Sequence, residues 1–381
     1  MKNIYWRPHG VSRLALILIA VVAATGLLMV EANPVRKEQP FFKEKVRAAR
    51  LTAEAFEAIK EQRRRIGLAI DKEVDPMESG LIGTLMSTVT SNTGSLSAKQ
   101  TSINPNFAAL VVHLLLRAEV VEGDVVAVGL SGSFPAINAA VCTAIETLKL
   151  KPIVITSASA SSWGANEPKY LWIDMEKTLH ERKIISFRTI AASIGGVEDD
   201  GLGMTPLGLR QLRRAIDRHG IPFIDPEDYT DSLNQRMAIY REQAGAASIK
   251  AYVNVGGGTT SVGTKIGKRL FKPGLNRRLP LQGSVHGFGH VPHDRRGRPG
   301  HPPGANRGIC EALRVSDPAA EDAPHRRGRI FYSEEYNKNL ATGVLVLVLV
   351  LLYAFIRSDW GFRMLVSSKP SKGKKHPGPM V

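Results

Sequence analysis

Two stretches rich in glycine and hydroxyl residues each follow an apolar run: GLSGS at residues 129–133 and GGGTTS at residues 256–261. Where a strand ends and a helix begins, several backbone N–H groups point the same way, and the helix dipole adds positive potential. Nearby hydroxyl groups supply further donors. This pattern predicts a binding site for an anion such as a carboxylate. The candidate ligand-binding residues are Gly129, Ser131, Gly132, Ser133, Gly256, Gly257, Gly258, Thr259 and Thr260.

The first stretch has two other interpretations. Ser131 is a candidate catalytic nucleophile, although the final glycine of the G-x-S-x-G elbow is replaced by Ser133. A Ser, Asp, His triad would need partners from elsewhere in the chain, and the candidates are Asp174, Asp199, His180 and His219. The stretch can also be a turn that binds nothing, and the sequence leaves all three alternatives open.

The sequence names no cofactor. GGGTTSVGT is neither a Walker loop nor a dinucleotide fingerprint, since Lys265 follows Thr264 at the wrong spacing. A pair of carboxylates, Asp199 and Asp200, lies among glycines in GGVEDDGLGMTP. Such a pair can hold a metal or move a proton, and its ordinary alternative is a solvated loop.

The elements around these loops alternate between strand and helix patterns. The apolar runs DVVAVGL, PIVITSAS, IPFID and IKAYVNV are typical of buried strands, and helical patterns separate them. Thr205 and Pro206 are typical of an N-cap and a first helical residue. We therefore expect an α/β fold with a mostly parallel sheet and helices on both faces, in which ligands bind at the carboxyl ends of the strands.

Two uncharged apolar runs, residues 14–30 and 340–356, flank this region and are each near the minimum length for crossing a bilayer. The second is followed by a basic tail, which favours a cytoplasmic C-terminus, and Lys2, Arg7 and Arg13 favour a cytoplasmic N-terminus. The expected protein therefore lies in the plasma membrane with two transmembrane helices, both termini in the cytoplasm and a soluble domain on the outer face. A cleaved secretory signal is the alternative for the first run.

These patterns divide the chain into consecutive segments. Residues 33–70 read as a juxtamembrane amphipathic helix that packs on the domain or lies on lipid, and GLIGTLMSTV reads as a short helix. The expected segments are a basic leader (1–13), a transmembrane helix or signal anchor (14–32), the amphipathic helix (33–70), the α/β domain (71–282), an irregular segment (283–329), a linker (330–339), a transmembrane helix (340–356) and a basic cytoplasmic tail (357–381).

The net charge of +16 does not indicate a nucleic-acid partner. The basic tail and the irregular segment carry half of this charge, and the sequence contains no zinc-finger spacing and no motif that interleaves aromatic and basic residues. Two cysteines, Cys142 and Cys310, provide no disulfide framework. We therefore expect the membrane, and no nucleic acid, among the partners.

Several blocks of this sequence resemble the poly-γ-glutamate system protein family: VVAVGLSGSFPAINAAV, TSASASSWGANEP, VEDDGLGMTPLG, VNVGGGTTSVG and GRIFYSEEYN. The resemblance covers residues 13–278 and 328–364. It implies a membrane-anchored accessory protein of bacterial poly-γ-glutamate synthesis or export, with synthase and export subunits as partners and the anionic polymer as ligand. The resemblance assigns no catalytic residues to this chain. The alternatives are a serine-dependent γ-glutamyl hydrolase or transferase with Ser131 as nucleophile, and a non-catalytic scaffold for the synthase subunits.

The irregular segment departs from this pattern. It contains eight arginines and half of the chain's ten histidines, but no lysine. Its composition favours neither the helix nor the strand that an α/β domain would place here. We interpret residues 284–325 as an out-of-frame translation, with a disordered insert as the alternative. Its histidines lack the partners of a packed metal site, so the only metal candidates are Asp199 and Asp200.

Overall fold

The computed structural model describes residues 13–256, 274–277, 311–315 and 330–357. The chain forms two compact units, of which one combines the two ends of the chain up to Gln39 and from Tyr332, and the other spans Pro40–Phe331. Four candidate ligand-binding residues lie outside the described residues, namely Gly257, Gly258, Thr259 and Thr260, as do Cys310 and the histidines of the irregular segment.

The terminal unit consists of two apolar helices and a small sheet. Helix α1 (Arg13–Ala32) leads into strand β1 (Val35–Glu38), and the chain returns through strand β12 (Tyr332–Glu335) into helix α9 (Lys338–Arg357). The two strands pair antiparallel, with Val35 opposite Glu335. The two helices contact each other beside Gly26, where a side chain would collide with Val344.

The surface of each of these helices is covered by other protein atoms along only one stripe. On α1 the covered positions recur at three- and four-residue intervals: Ile19, Val22, Ala23, Gly26 and Val30. On α9 the partly covered positions include Ala341, Val344, Val348, Leu351, Leu352 and Phe355. The remaining large side chains of both helices, such as Leu27 and Leu347, are exposed and apolar. The stripes account for helix pairing, whereas the exposed apolar surface has no protein cover in the described residues.

Among the described residues, one helix is long and apolar enough to cross a membrane, namely α9 over Lys338–Phe355. The apolar part of α1, Leu16–Ala32, is shorter. The expected pair of flanking transmembrane helices therefore remains a prediction.

The larger unit is built around a six-stranded sheet in the order β10, β11, β9, β3, β4, β8. Its strands are β3 (Val125–Ser131), β4 (Lys151–Ser157), β8 (Ala191–Ser193), β9 (Ile249–Val255), β10 (Gly274–Asn276) and β11 (Glu311–Val315). All neighbours pair in parallel except β10 with β11. The predicted α/β fold with a mostly parallel sheet is therefore confirmed.

Helices cover both faces of the sheet. The helices of this unit are α2 (Phe42–Arg65), α3 (Leu96–Ser102), α4 (Phe107–Arg117), α5 (Pro135–Thr147), α6 (Trp172–Glu181), α7 (Pro206–Arg218) and α8 (Tyr229–Ala244). Val126, Val128 and Leu130 of β3 pack in one core with residues of α2, α4 and α5. On the other face, Ala127 lies in a core with Tyr240 of α8. This alternation is the side-chain period of a strand buried on both faces.

Short two-residue and three-residue strands surround the carboxyl edge of the sheet. Strand β2 (Thr90–Asn92) pairs with β5 (Ala160–Ser161), and β6 (Asn166–Glu167) pairs with β7 (Tyr170–Leu171). The β2–β5 pair joins the segment that follows β4 to the segment that precedes α3, and the β6–β7 pair lies within the segment between β4 and α6. They therefore fix the walls around the predicted site.

Several sequence predictions need correction. GLIGTLMSTV forms no helix, because its backbone bonds to distant groups: the Gly83 N–H donates to the Trp163 carbonyl and the Thr84 N–H to Asn166 Oδ1. IPFID forms no strand and contributes one bridge, between Phe223 and Ala192. The amphipathic helix α2 packs against α4 and α5, in agreement with the domain-packing alternative.

The irregular segment contains a strand that its composition did not favour, because β11 pairs in parallel with β9 from Glu311 opposite Ala251 to Val315 opposite Val255. A strand ladder is made by main-chain groups, so composition constrains it only weakly. The remainder of the segment lies outside the described residues, and its origin stays a hypothesis.

Candidate functional site

The parallel register brings three serines together at the carboxyl edge of the sheet. Ser131 of β3 lies opposite Ser157 of β4, and Ser157 lies opposite Ser193 of β8. Opposed residues of a parallel sheet share a face, so the three hydroxyl groups lie on the α8 side; we call them the serine row. Ser131 and Ser157 are half-buried and Ser193 is fully buried. The predicted location at the strand ends is therefore where the polar groups collect.

Gly256 lies beside Ser131, at one end of the serine row. A Cβ atom placed on Gly256 would lie 3.1 Å from Ser131 Cβ, and the glycine has a φ of +107°, which favours glycine. Its carbonyl accepts a hydrogen bond of 3.0 Å from Asn254 Nδ2. A side chain here would press against Ser131, so glycine allows the chain after β9 to lie this close to the serine row.

The GLSGS turn differs from the predicted amide cradle. The Gly132 N–H donates to the Ser157 carbonyl at 3.2 Å, and the Ser133 N–H donates to Ser131 Oγ at 3.1 Å. These two amides are occupied because the chain continues the ladder with β4 beyond the end of β3. What the turn presents is therefore the Ser131 hydroxyl and not the backbone donors of Gly132 and Ser133.

Other polar contacts fix this turn in place. Asn138 of α5 donates from Nδ2 to the Ser131 carbonyl at 2.8 Å, and Ser133 Oγ accepts from the Ser161 N–H at 3.1 Å. Lys99, which is 3% exposed, donates from Nζ to the Ser133 carbonyl at 2.5 Å and to Ser161 Oγ at 3.1 Å. The turn is thus held from three directions, which gives Ser131 a defined position.

Gly129 has a packing role in this arrangement. A Cβ atom on Gly129 would lie 2.6 Å from the hydroxyl oxygen of Tyr252. Glycine at this position therefore allows the neighbouring strand β9 to place its tyrosine against β3.

The triad interpretation of Ser131 is not supported by the described contacts. His219 Nε2 lies 2.7 Å from Asp174 Oδ1, and Asp174 also accepts from Arg218 at 2.7 Å. This pair joins helix α6 to the end of α7, and burial works against the lowered pKa that these bonds give Asp174. His180 is exposed on α6. Within the described part of the chain, the hydrogen bonds of Ser131 involve neither a histidine nor a carboxylate.

Asp199 and Asp200 lie in different environments. Asp199 is 2% exposed and forms an ion pair with Arg236 of α8, whereas Asp200 is exposed and its Oδ1 accepts from the Leu202 N–H. Asp199 is therefore not part of a solvated loop. No group of three or more potential metal ligands occurs in residues 13–256, 274–277, 311–315 and 330–357. The described geometry thus separates the two candidate metal ligands.

A closed polar network surrounds the Asp199 carboxylate. Arg236 donates to it from Nε at 3.0 Å and from one terminal nitrogen at 2.8 Å and 2.9 Å. Ser193 Oγ donates at 2.7 Å, Ser232 Oγ at 2.6 Å and Ser157 Oγ at 3.4 Å. Two members of the serine row therefore contact the same carboxylate as the buried arginine.

The electrostatics of this network follow from burial and pairing. Burial by itself lowers the pKa of the Arg236 guanidinium, but the charge and hydrogen bonds of Asp199 outweigh it and raise that pKa above its ordinary value. Arg236 is consequently a permanent cation at the carboxyl edge of the sheet. A cation surrounded by hydroxyl donors is an arrangement suited to a carboxylate.

Sequence analysis missed Arg236 and Lys99. Arg236 lies on the buried stripe of α8 with Leu233 and Tyr240, spaced by three and four residues. A charged residue on the apolar stripe of a helix indicates a buried polar partner. The spacing on α8 could therefore have indicated that Arg236 is buried and paired, but not that its partner is Asp199.

No protein-family model, curated protein or solved structure matches this chain.

Proposed function

We propose that this chain is a membrane-anchored accessory protein of poly-γ-glutamate production or export, and that it binds the carboxylate-rich polymer at the carboxyl edge of its sheet. In this proposal the protein lies in the plasma membrane with two spans, both termini are cytoplasmic and the α/β unit is on the outer face. Synthase and export subunits are its protein partners.

The membrane part is supported by the terminal unit. The helices α1 and α9 pair through narrow stripes and carry exposed apolar side chains over the rest of their surface. In water such a surface would be costly, whereas lipid covers it without a protein partner. Gly26 permits close approach of the helices, as small residues do in membrane-helix pairs.

The observation that carries the ligand class is that the carboxyl edge of the sheet already accommodates a carboxylate. Arg236 and the hydroxyls of Ser157, Ser193 and Ser232 all donate to the side chain of Asp199. Each unit of a γ-linked glutamate chain has a free α-carboxylate, which is the same functional group. Ser131, at the end of the row, is only half-buried, and in this proposal a longer anion contacts it there.

The pathway is supported by the sequence resemblance. Its blocks coincide with the site, because GLSGSF contains Ser131, TSASAS contains Ser157 and VEDDG contains Asp199. The resemblance thus falls on the residues whose geometry fits a carboxylate ligand.

A binding experiment on the full chain in detergent micelles tests this function. Retention of poly-γ-glutamate of defined length should be weakened up to about tenfold by Ser131→Ala, because one hydrogen bond to a charged group contributes about 1.5 kcal/mol. The matched control is Ser97→Ala, an exposed serine of α3. Unchanged polymer length supports a binding protein. Absence of polymer binding to the unaltered chain, or shortening of the polymer, would contradict the proposal.

A reporter that is active only outside the cytoplasm tests the topology. Residues 245–248 are exposed after α8 and tolerate insertion better than the buried core, so the reporter is placed between Ala246 and Ala247. It should be active there and silent when fused after Val381. The reverse pattern would exclude the proposed orientation.

A further inference from the structure

The donors around Asp199 form a complete receptor for one carboxylate. Arg236 contacts both carboxylate oxygens, and the hydroxyls of Ser193 and Ser232 each donate to a different oxygen. Arg236 is 2% exposed and Ser232 is fully buried, so water does not compete for these bonds. The donors come from regular elements of the fold, namely β4, β8 and α8. The carboxylate itself is supplied by the loop at residues 195–203, within its short 3₁₀ turn Val197–Asp199.

That loop has a strained backbone. Glu198 and Asp199 have φ values of +56° and +70°, a region that side chains other than glycine adopt at a cost. Glycines with positive φ lie on both sides, at Gly195, Gly196, Gly201 and Gly203. Such glycines allow a loop to change path at low cost. The Asp199 carboxylate is therefore held in the receptor on a backbone with unfavourable dihedral angles.

A second polar group beside the receptor has no partner. Ser159 is 2% exposed, and among the described residues its hydroxyl has no hydrogen-bond partner. A Cβ atom on Gly195 would lie 2.9 Å from Ser159 Oγ and 3.3 Å from Ser157 Oγ, so both hydroxyls face the base of the same loop. A buried hydroxyl without a partner is unfavourable, and a ligand larger than the Asp199 side chain would provide one.

We infer that the pocket formed by Arg236, Ser157, Ser193 and Ser232 is a binding site for a ligand carboxylate, and that Asp199 occupies it as a built-in competitor. Displacement of the loop at residues 195–203 exposes Arg236 to the ligand. The inference deepens the proposed function and rests on it for the identity of the ligand. Apparent affinity is then reduced by the fraction of molecules whose loop is closed.

The first test removes the competitor. In the full chain in detergent, Asp199→Ala should bind tri-γ-glutamate at least tenfold more tightly than the unaltered protein, which corresponds to a loop at least about nine-tenths closed. Asp200→Ala is the matched control, since it removes a carboxylate of the same loop that does not contact Arg236. Its affinity should be unchanged. Equal affinities for a folded Asp199→Ala variant and the unaltered chain would overturn the inference.

The second test uses the unaltered protein and does not depend on the stability of a variant. Binding of tri-γ-glutamate should increase amide hydrogen exchange at residues 195–203, because the loop leaves the pocket and bonds such as that from the Gly195 N–H to the Asp199 carbonyl break. Decreased or unchanged exchange on binding would overturn the inference while leaving the proposed function intact. Acetate distinguishes the opposite case, in which the inference holds and the proposed function fails. In that case the Asp199→Ala variant binds acetate, but neither this variant nor the unaltered protein binds tri-γ-glutamate.

Discussion

Replacement of Arg236 by methionine is expected to destabilise the α/β unit strongly. The side chains of Arg236 and Asp199 are 3% and 2% exposed, so neither charge is solvated in the folded protein. In the Arg236→Met variant, Asp199 keeps the hydroxyl donors of Ser193 and Ser232 but loses Arg236, the one cation that contacts it in the described part of the chain. The carboxylate would then be buried without a countercharge.

The expected loss of unfolding free energy depends on how far the remaining hydroxyl donors compensate for the missing cation. Removal of one partner from a buried ion pair costs about 3–5 kcal/mol. The remaining hydroxyl donors offset part of the loss, so we expect about 2–4 kcal/mol for Arg236→Met. The double variant Arg236→Met with Asp199→Ala removes both charges, so that neither is buried without its partner. It should therefore be less destabilised than the sum of the two single variants by about 2 kcal/mol or more.

Denaturant unfolding of the full chain in mild detergent measures these differences. Tryptophan fluorescence is a suitable signal, since Trp172 is fully buried in the core. The matched control is Lys177→Met, which breaks an exposed i,i+4 pair with Glu181 and should change stability by at most about 0.5 kcal/mol. Additive single-variant effects, without coupling between Arg236 and Asp199, would refute the reasoning.

Three further predictions concern other parts of the molecule. Burial raises the pKa of Asp174, but its hydrogen bonds with His219 and Arg218 and the charge of Arg218 outweigh burial and lower that pKa, so Asp174→Asn should destabilise the protein at pH 7, and the difference should be lost as the pH falls from the ordinary value of 3.8 through the lowered pKa; a pH-independent difference in unfolding free energy would contradict this. Gly26→Leu should lower the unfolding midpoint in micelles by separating α1 from α9, whereas Gly343→Leu, which faces open space, should not; equal effects would exclude the helix contact. Gly164→Ala should cost about 1–3 kcal/mol and weaken polymer retention, because its methyl group would lie 2.7 Å from a carbonyl oxygen of the turn after β3; unaltered stability and retention would show that this turn is not tightly fixed.

Local sequence signals predicted those elements whose determinants are local. Strand β9 matches IKAYVNV residue for residue, and α7 begins at Pro206 after the predicted cap, with Thr205 Oγ1 accepting from the Gly208 N–H at 3.2 Å. The short helix predicted for GLIGTLMSTV was wrong because the backbone groups of this stretch bond to Trp163 and Asn166, which are about eighty positions away. Bonds of that range have no periodic signal in the sequence.

The site shows the same division. The carboxyl ends of β3 and β9 were predicted as the place for a ligand, and Ser131 was among the predicted residues. The register that aligns Ser131, Ser157 and Ser193 was not, because it depends on how separate strands pair. The partner of Asp199 lies 37 residues further along the chain on another element, so the sequence indicated a carboxylate without indicating its cation.

The most direct test of the account is the retention of poly-γ-glutamate by the full chain in lipid nanodiscs, compared between the unaltered protein and Arg236→Lys. Lysine keeps the positive charge but cannot make the two-pronged contact of a guanidinium with a carboxylate. The account predicts that the unaltered protein retains the polymer without shortening it, and that Arg236→Lys retains it at least tenfold more weakly while remaining folded. Equal retention by the two proteins would contradict the claim that Arg236 and the serine row bind a carboxylate ligand.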